Sequence, residues 1–286
     1  MRRWFHAAAA SARFVSERPA LWLSGALAWI SSVGWIPLLV AVAHPPSDAE
    51  LTFLGARIVT SGAWPWNAVL IGALATTVVV AAFALVAAAN AVLLGLVDQR
   101  APSVAGAGRL LGIALIAAVP GTIAFVLLLA VTASVAPGAF NAPDDRAGGV
   151  LGTIVGVAPV IVGLTIAVVL GAAFAAVAAR TGGLRTAGRR LALVGGAGWA
   201  QVVLGTVVHA AFLALAALLL GVLWAPIGAA LGVGGEIDVA TAVLLVGFVA
   251  IWLCLVLAGG ALHAWSATTW SRLLAAGPPA MPQQRT

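Results

Sequence analysis

Three observations predict an all-α, polytopic membrane fold. The chain is 63% hydrophobic and only 8% charged, whereas a soluble domain needs roughly a quarter of its residues charged to cover its surface. Apolar runs at 19–43, 67–97, 110–136, 150–179, 191–224 and 240–264 each reach the ~20 residues that cross ~30 Å of hydrocarbon. Arginine also gathers in alternate connections, the pattern left by the resistance of basic residues to translocation. Six transmembrane helices arranged as three hairpins follow. An amphipathic interfacial helix precedes them.

That first helix occupies residues 1–18. At 100° per residue Trp4, Phe5, Ala8, Ala12 and Val15 share one side, while Arg2, Arg3, His6, Arg13 and Glu17 take the other, with Phe14 as the misfit. Such a helix lies in the interface, apolar face down and arginines near the headgroups. A cleaved signal peptide has an apolar core of ~7–15 residues. Here the apolar run continues from Pro19 past Val40, so an uncleaved first span is expected.

The transmembrane domain extends over 19–275, and "AGPPAMPQQRT", residues 276–286, is a disordered cytoplasmic tail. All fourteen basic residues are arginine. Arg2, Arg3, Arg13, Arg18, Arg100, Arg109, Arg180, Arg185, Arg189, Arg190, Arg272 and Arg285 fall on one side of the alternation, and Arg57 and Arg146 on the other. The acids divide oppositely: Glu17 and Asp98 lie with the arginines, and Asp48, Glu50, Asp144, Asp145, Glu236 and Asp238 lie across from them. Both termini are therefore cytoplasmic, and the coding bias toward Ala, Val, Gly and Arg places the chain in a bacterial inner membrane. The stretch "RTGGLRTAGRRLALVGG" is a cytoplasmic anchor, with Arg180, Arg185, Arg189 and Arg190, like Arg2, Arg3 and Arg13, available to lipid headgroups.

Packing signals come next. Gly149, Gly152, Gly156, Gly163 and Gly171 occupy a narrow arc of the fourth run and include "GTIVG", a spacing that lets helix backbones approach closely. Within the bundle this is a packing seam; between copies it would support self-association. Pro37, Pro120 and Pro159 should kink their spans. The segment "WAPIGAALGVGGEID" reads as a short interfacial or re-entrant element on the outer side.

Chemistry is sparse. No Asp, Glu, Arg or Lys lies well inside a run, against the default for a proton relay or an ion-coupled carrier. The polar residues at depth are His209, Asn90, Thr122, Thr165, Thr206 and Ser31. His209 is the best single one, a buried polar side chain satisfied by a neighbouring helix, since His6 and His263 are expected inside and His44 outside. Cys254 has no partner cysteine. HExxH, GxSxG and P-loop patterns are missing, so no enzyme activity, no cofactor and no nucleic-acid partner are expected.

On "APSVAGAGRLLG" and "LRTAGRRLAL", the chain resembles uncharacterised bacterial six-span proteins grouped near the membrane domain of glycerophosphodiester phosphodiesterases. The resemblance implies a stand-alone membrane module, because the phosphodiesterase catalytic domain has no counterpart here. A second resemblance, to permease subunits of ABC-2 type exporters, rests on the leading amphipathic helix and on "APIGAALGVGG". It implies transport and an ATPase partner. The first yields a non-enzymatic protein acting through lipid or a partner membrane protein.

Overall fold

A computed structural model of the chain describes residues 2–42, 53, 56–99, 107–112, 192, 194–232 and 238–275. It is all-helical, with no strand among the described residues. Helix α1 (Arg2–Ser16) leads into α2 (Pro19–Trp29), a π-helical turn (Ile30–Gly34) and α3 (Ile36–Val42). Three long helices follow: α4 (Trp66–Asp98), α5 (Gly196–Gly232) and α6 (Val239–Ala275). Val69–Asp98, Gly196–Leu231 and Val239–Ala275 are long and apolar enough to cross a membrane. The α2 to α3 pair adds a fourth span if its two parts, bent by 50°, are counted as one. Apart from 110–112, the third and fourth apolar runs lie outside the described residues, as do Pro120, Pro159 and the five glycines of the fourth run.

The bend in the first span has local causes. The Ser31 and Ser32 hydroxyls donate to the Ala28 carbonyl at 3.1 and 2.8 Å, and Ser32 also reaches the Trp29 carbonyl at 3.0 Å. These bonds compete for carbonyls that an α-helix would use. Pro37 then has no N–H to return to Val33, and the register slips into a π turn before α3 resumes.

Contacts fix the helix directions. Asn90 meets His263 and Asp98 meets Ser271, both across a separation of 173 residues, so α4 and α6 run parallel. Gln201 meets Ser266 near one end, while Trp224 stacks on Phe248 at 5.3 Å toward the other, so α5 and α6 run antiparallel. Trp29, Val33 and Ile36 pack on Leu213, and Leu38 to Val42 on Leu220 to Ile227, so the first span and α5 are parallel. Arg2, Arg3, Arg13, Arg18 and Arg272 consequently gather at one end, with Asp98. Arg57 and Asp238 are at the other.

The most extensive packing joins α2 to α6, and glycine makes it possible. A Cβ on Gly260 would stand 2.5 Å from the Trp22 carbonyl oxygen and 2.6 Å from the Ala26 Cα. One on Gly25 would strike the Gly260 carbonyl. The Trp29 indole lies over Gly34 and Gly259 and meets Phe212 edge-on at 5.8 Å. The close-approach seam that the structure describes is therefore Gly25, Gly259 and Gly260.

Two boundaries differ from the sequence reading. Helix α5 runs unbroken through Pro226 to Gly232, so 225–232 is the end of a span rather than a separate re-entrant element; Ile227, buried against Leu220 and Phe248, holds this last turn in the bundle. Helix α6 continues to Ala275, well past residue 264, because Ser266, Thr268, Thr269 and Ser271 are buried inside the assembly. Its other end is capped by Asp238, whose Oδ1 accepts the Thr241 N–H at 2.7 Å. Hydrogen bonds from the Thr241 side chain and backbone hold the Asp238 carboxyl below the ordinary carboxylate range.

Helix α1 lies against the bundle. Its buried residues, Trp4, Ala8, Ser11 and Val15, recur at helical spacing and pack with the ends of α4, α5 and α6. Phe5 is exposed, and Ala12 with it. Three of the five residues in the stripe expected to face lipid, Trp4, Ala8 and Val15, are thus covered by protein.

Candidate functional site

The polar side chains buried in the helical interior form a seam that begins at α1. Trp4 Nε1 donates to Gln201 Oε1 at 2.7 Å, and Gln201 Nε2 donates to Ser266 Oγ at 3.3 Å, linking α1, α5 and α6 through fully buried atoms. Beside this chain, Ser271 Oγ donates to Asp98 Oδ1 at 2.8 Å. Trp265 Nε1 donates to the Ala8 carbonyl at 3.0 Å, and an Arg3 guanidinium nitrogen donates to the Leu273 carbonyl at 3.1 Å. Arg3 thereby serves the C-terminal carbonyls of α6, where a cation is also favoured by the helix dipole.

Two turns deeper, His263 Nε2 lies 3.1 Å from Asn90 Oδ1. Asn90 Nδ2 donates to the Val86 carbonyl at 2.9 Å, which orients the amide so that its oxygen faces the imidazole. The Nε2 atom of His263 must therefore carry the proton, leaving a lone pair on Nδ1. His209 has the opposite tautomer: its Nδ1 is 2.8 Å from the Gly205 carbonyl, which only accepts, so Nε2 holds the lone pair. The two imidazoles are each 2% exposed. Among the described residues, His209 Nε2 and His263 Nδ1 have no hydrogen-bond partner, nor do the buried Thr206 hydroxyl and the indole nitrogens of Trp29, Trp252 and Trp270.

This arrangement differs from the expectation of a lone His209. His263, expected at the cytoplasmic side, is a second interior histidine, because α6 runs about twelve residues beyond it. Gln201 was not singled out among the residues at depth, although a glutamine inside "GWAQVVLG" is itself the signal. Two imidazole lone pairs are the nitrogen donors available for a metal. No group of three or more His, Cys, Asp or Glu side chains is assembled among the described residues, whereas catalytic zinc takes three protein ligands. Cys254 is exposed on α6.

The remaining site residues lie elsewhere. Arg2 and Arg13 are exposed on α1. Arg180, Arg185, Arg189 and Arg190, and Gly149, Gly152, Gly156, Gly163 and Gly171, lie outside the described residues. Phe14, the misfit of the α1 wheel, has the Arg18 guanidinium 4.1 Å and the Arg272 guanidinium 5.4 Å from its ring centroid. Compared with protein-family models, with curated proteins and with solved structures, the chain has no match in any of the three.

Proposed function

We propose that the chain is a six-span protein of a bacterial inner membrane, both termini cytoplasmic, that acts without catalysis through its packing with lipid or a partner membrane protein. The observation that carries this reading is where the polar side chains go. Trp4 with Gln201 and Ser266, Asn90 with His263, and Asp98 with Ser271 each tie one helix to another. The outward residues of α4 to α6 are chiefly leucine and valine, such as Leu74, Val207, Leu218 and Val246. Interhelical hydrogen bonds of this kind are glue in a medium that gives helices no hydrophobic drive to associate.

Helix direction supports the span count. Asp98, ending α4, and Gly196, starting α5, are at the same end of the bundle, so the chain between them crosses an even number of times. The two apolar runs in that interval supply two crossings. Reporter fusions at 48, 145 and 236 are expected outside, and those at 103, 186 and 280 inside; an external reporter at 186 overturns the arrangement.

A second reading, a permease subunit of an ABC-2 type exporter, is favoured by one observation. Helix α1 docks across the cytoplasmic ends of the spans, as a leading elbow helix would. Gentle detergent extraction separates the two readings. Recovery of a stoichiometric ATPase whose activity falls when residues 98–109 are replaced establishes the exporter; recovery with lipid or another membrane protein supports the packing role.

A further inference from the structure

We propose that Arg18 and Arg272 form a binding site for the phosphate of an anionic phospholipid on the inner face, an inference that rests on the membrane reading above. The two guanidiniums arrive from different elements, Arg18 from the residue before α2 and Arg272 from the last turn of α6, and share the ring of Phe14 on α1. A guanidinium stacked on an aromatic face is held in orientation while its N–H edge stays free to bind. Neither has a carboxylate partner among the described residues.

Supply of anions at this end is short. Of the two acids grouped with the arginines, Asp98 accepts from Ser271 and Glu17 is exposed in solvent. The six described arginines at this end, Arg2, Arg3, Arg13, Arg18, Arg109 and Arg272, therefore outnumber their carboxylates. Two guanidiniums gathered around one ring make a local excess of positive charge, and phosphate matches the forked donors of arginine. No side chain caps α2, so the positive end of its dipole adds to the same field.

Depth identifies the phosphate as that of a lipid. Trp22, one turn beyond Arg18, is 37% exposed, and its indole N–H donates to the Val15 carbonyl at 2.7 Å. A partly exposed, hydrogen-bonded Trp at the start of a span marks the headgroup level. The site is complete only while α1 is docked, because Phe14 belongs to α1. Lipid binding must therefore stabilise the docked state by mass action.

The test uses the full-length protein in neutral detergent, titrated with phosphatidylglycerol, phosphatidylcholine or inorganic phosphate and followed by melting temperature and tryptophan emission. Phosphatidylglycerol is expected to raise the melting temperature saturably, and the other two to leave it within error. Arg18→Gln with Arg272→Gln should weaken phosphatidylglycerol binding at least tenfold, while Arg57→Gln, at the opposite end of the bundle, leaves it unchanged. Arg18→Lys with Arg272→Lys keeps the charges and loses the planar fork, so binding should fall severalfold with helix content intact; this pair carries the test if the glutamine pair does not fold. Unchanged binding in either Arg18/Arg272 pair, an equal loss in Arg57→Gln, or full competition by inorganic phosphate overturns the proposal. Flotation with vesicles is the separate check on membrane residence: if it fails at every lipid composition, the underlying reading is wrong, whereas a failed site leaves it intact.

Discussion

Changing Gly260 to alanine adds one methyl where α2 and α6 are closest. That carbon would stand 2.5 Å from the Trp22 carbonyl oxygen and 2.6 Å from the Ala26 Cα, against the 3.5–4.0 Å of a relaxed contact. Its neighbours are backbone atoms, so no rotamer change relieves the clash and the helices must part by about 1 Å. A gap of that size forfeits a quarter to a half of each dispersion contact, and some forty contacts at ~0.1–0.2 kcal/mol lose roughly 1–4 kcal/mol together. The better helix propensity of alanine returns at most ~1 kcal/mol. A net loss of about 1–2 kcal/mol is expected in equilibrium unfolding of the purified protein in SDS mixed micelles, followed by circular dichroism. Gly221→Ala and Gly247→Ala, where an added Cβ meets nothing within 4 Å, should be neutral or slightly stabilising. If Gly260→Ala behaves like those two, the α2 to α6 contact is wrong.

Two other perturbations follow from the polar contacts. A double-mutant cycle on Asn90→Ala and His263→Ala should give a coupling of about 0.6 kcal/mol, the average for hydrogen bonds between membrane helices, and no coupling would remove the contact. The Asp238 carboxyl is held low by Thr241, so its capping is present above the unfolded carboxylate range and lost as pH falls through the folded value. The protection of the Thr241 amide, taken relative to its intrinsic exchange rate at each pH, should therefore fall on acidification in the parent and show no such step in Asp238→Asn.

The helices could be read from apolar run length, yet their ends and partners could not. Ser266, Thr268, Thr269 and Ser271 look like the close of a span because polarity in one sequence suggests water. In the structure Ser266 answers Gln201, Ser271 answers Asp98, and the two threonine hydroxyls turn back to the Ala264 and Trp265 carbonyls. The stripe of α1 was legible as apolar, but a stripe does not say whether lipid or protein will cover it. Phe14 looked misplaced because its partners are cations from elements far along the chain. Five recurring glycines drew attention to the fourth run, whereas Gly25 stands alone in "WLSGAL" and acquires meaning only opposite Gly259 and Gly260.

The clasp between α1 and α6 dictates when the molecule can be finished. Ala8 accepts from a tryptophan 257 residues later, and Arg3 reaches a carbonyl 270 residues away. During synthesis α1 must therefore wait for α6, and until then Trp4, Ala8 and Val15 are without these neighbours. During that interval the membrane surface is the natural resting place for its apolar side, so the same face serves first lipid and then protein. A chain stopped short of Trp265 would keep this helix unlatched.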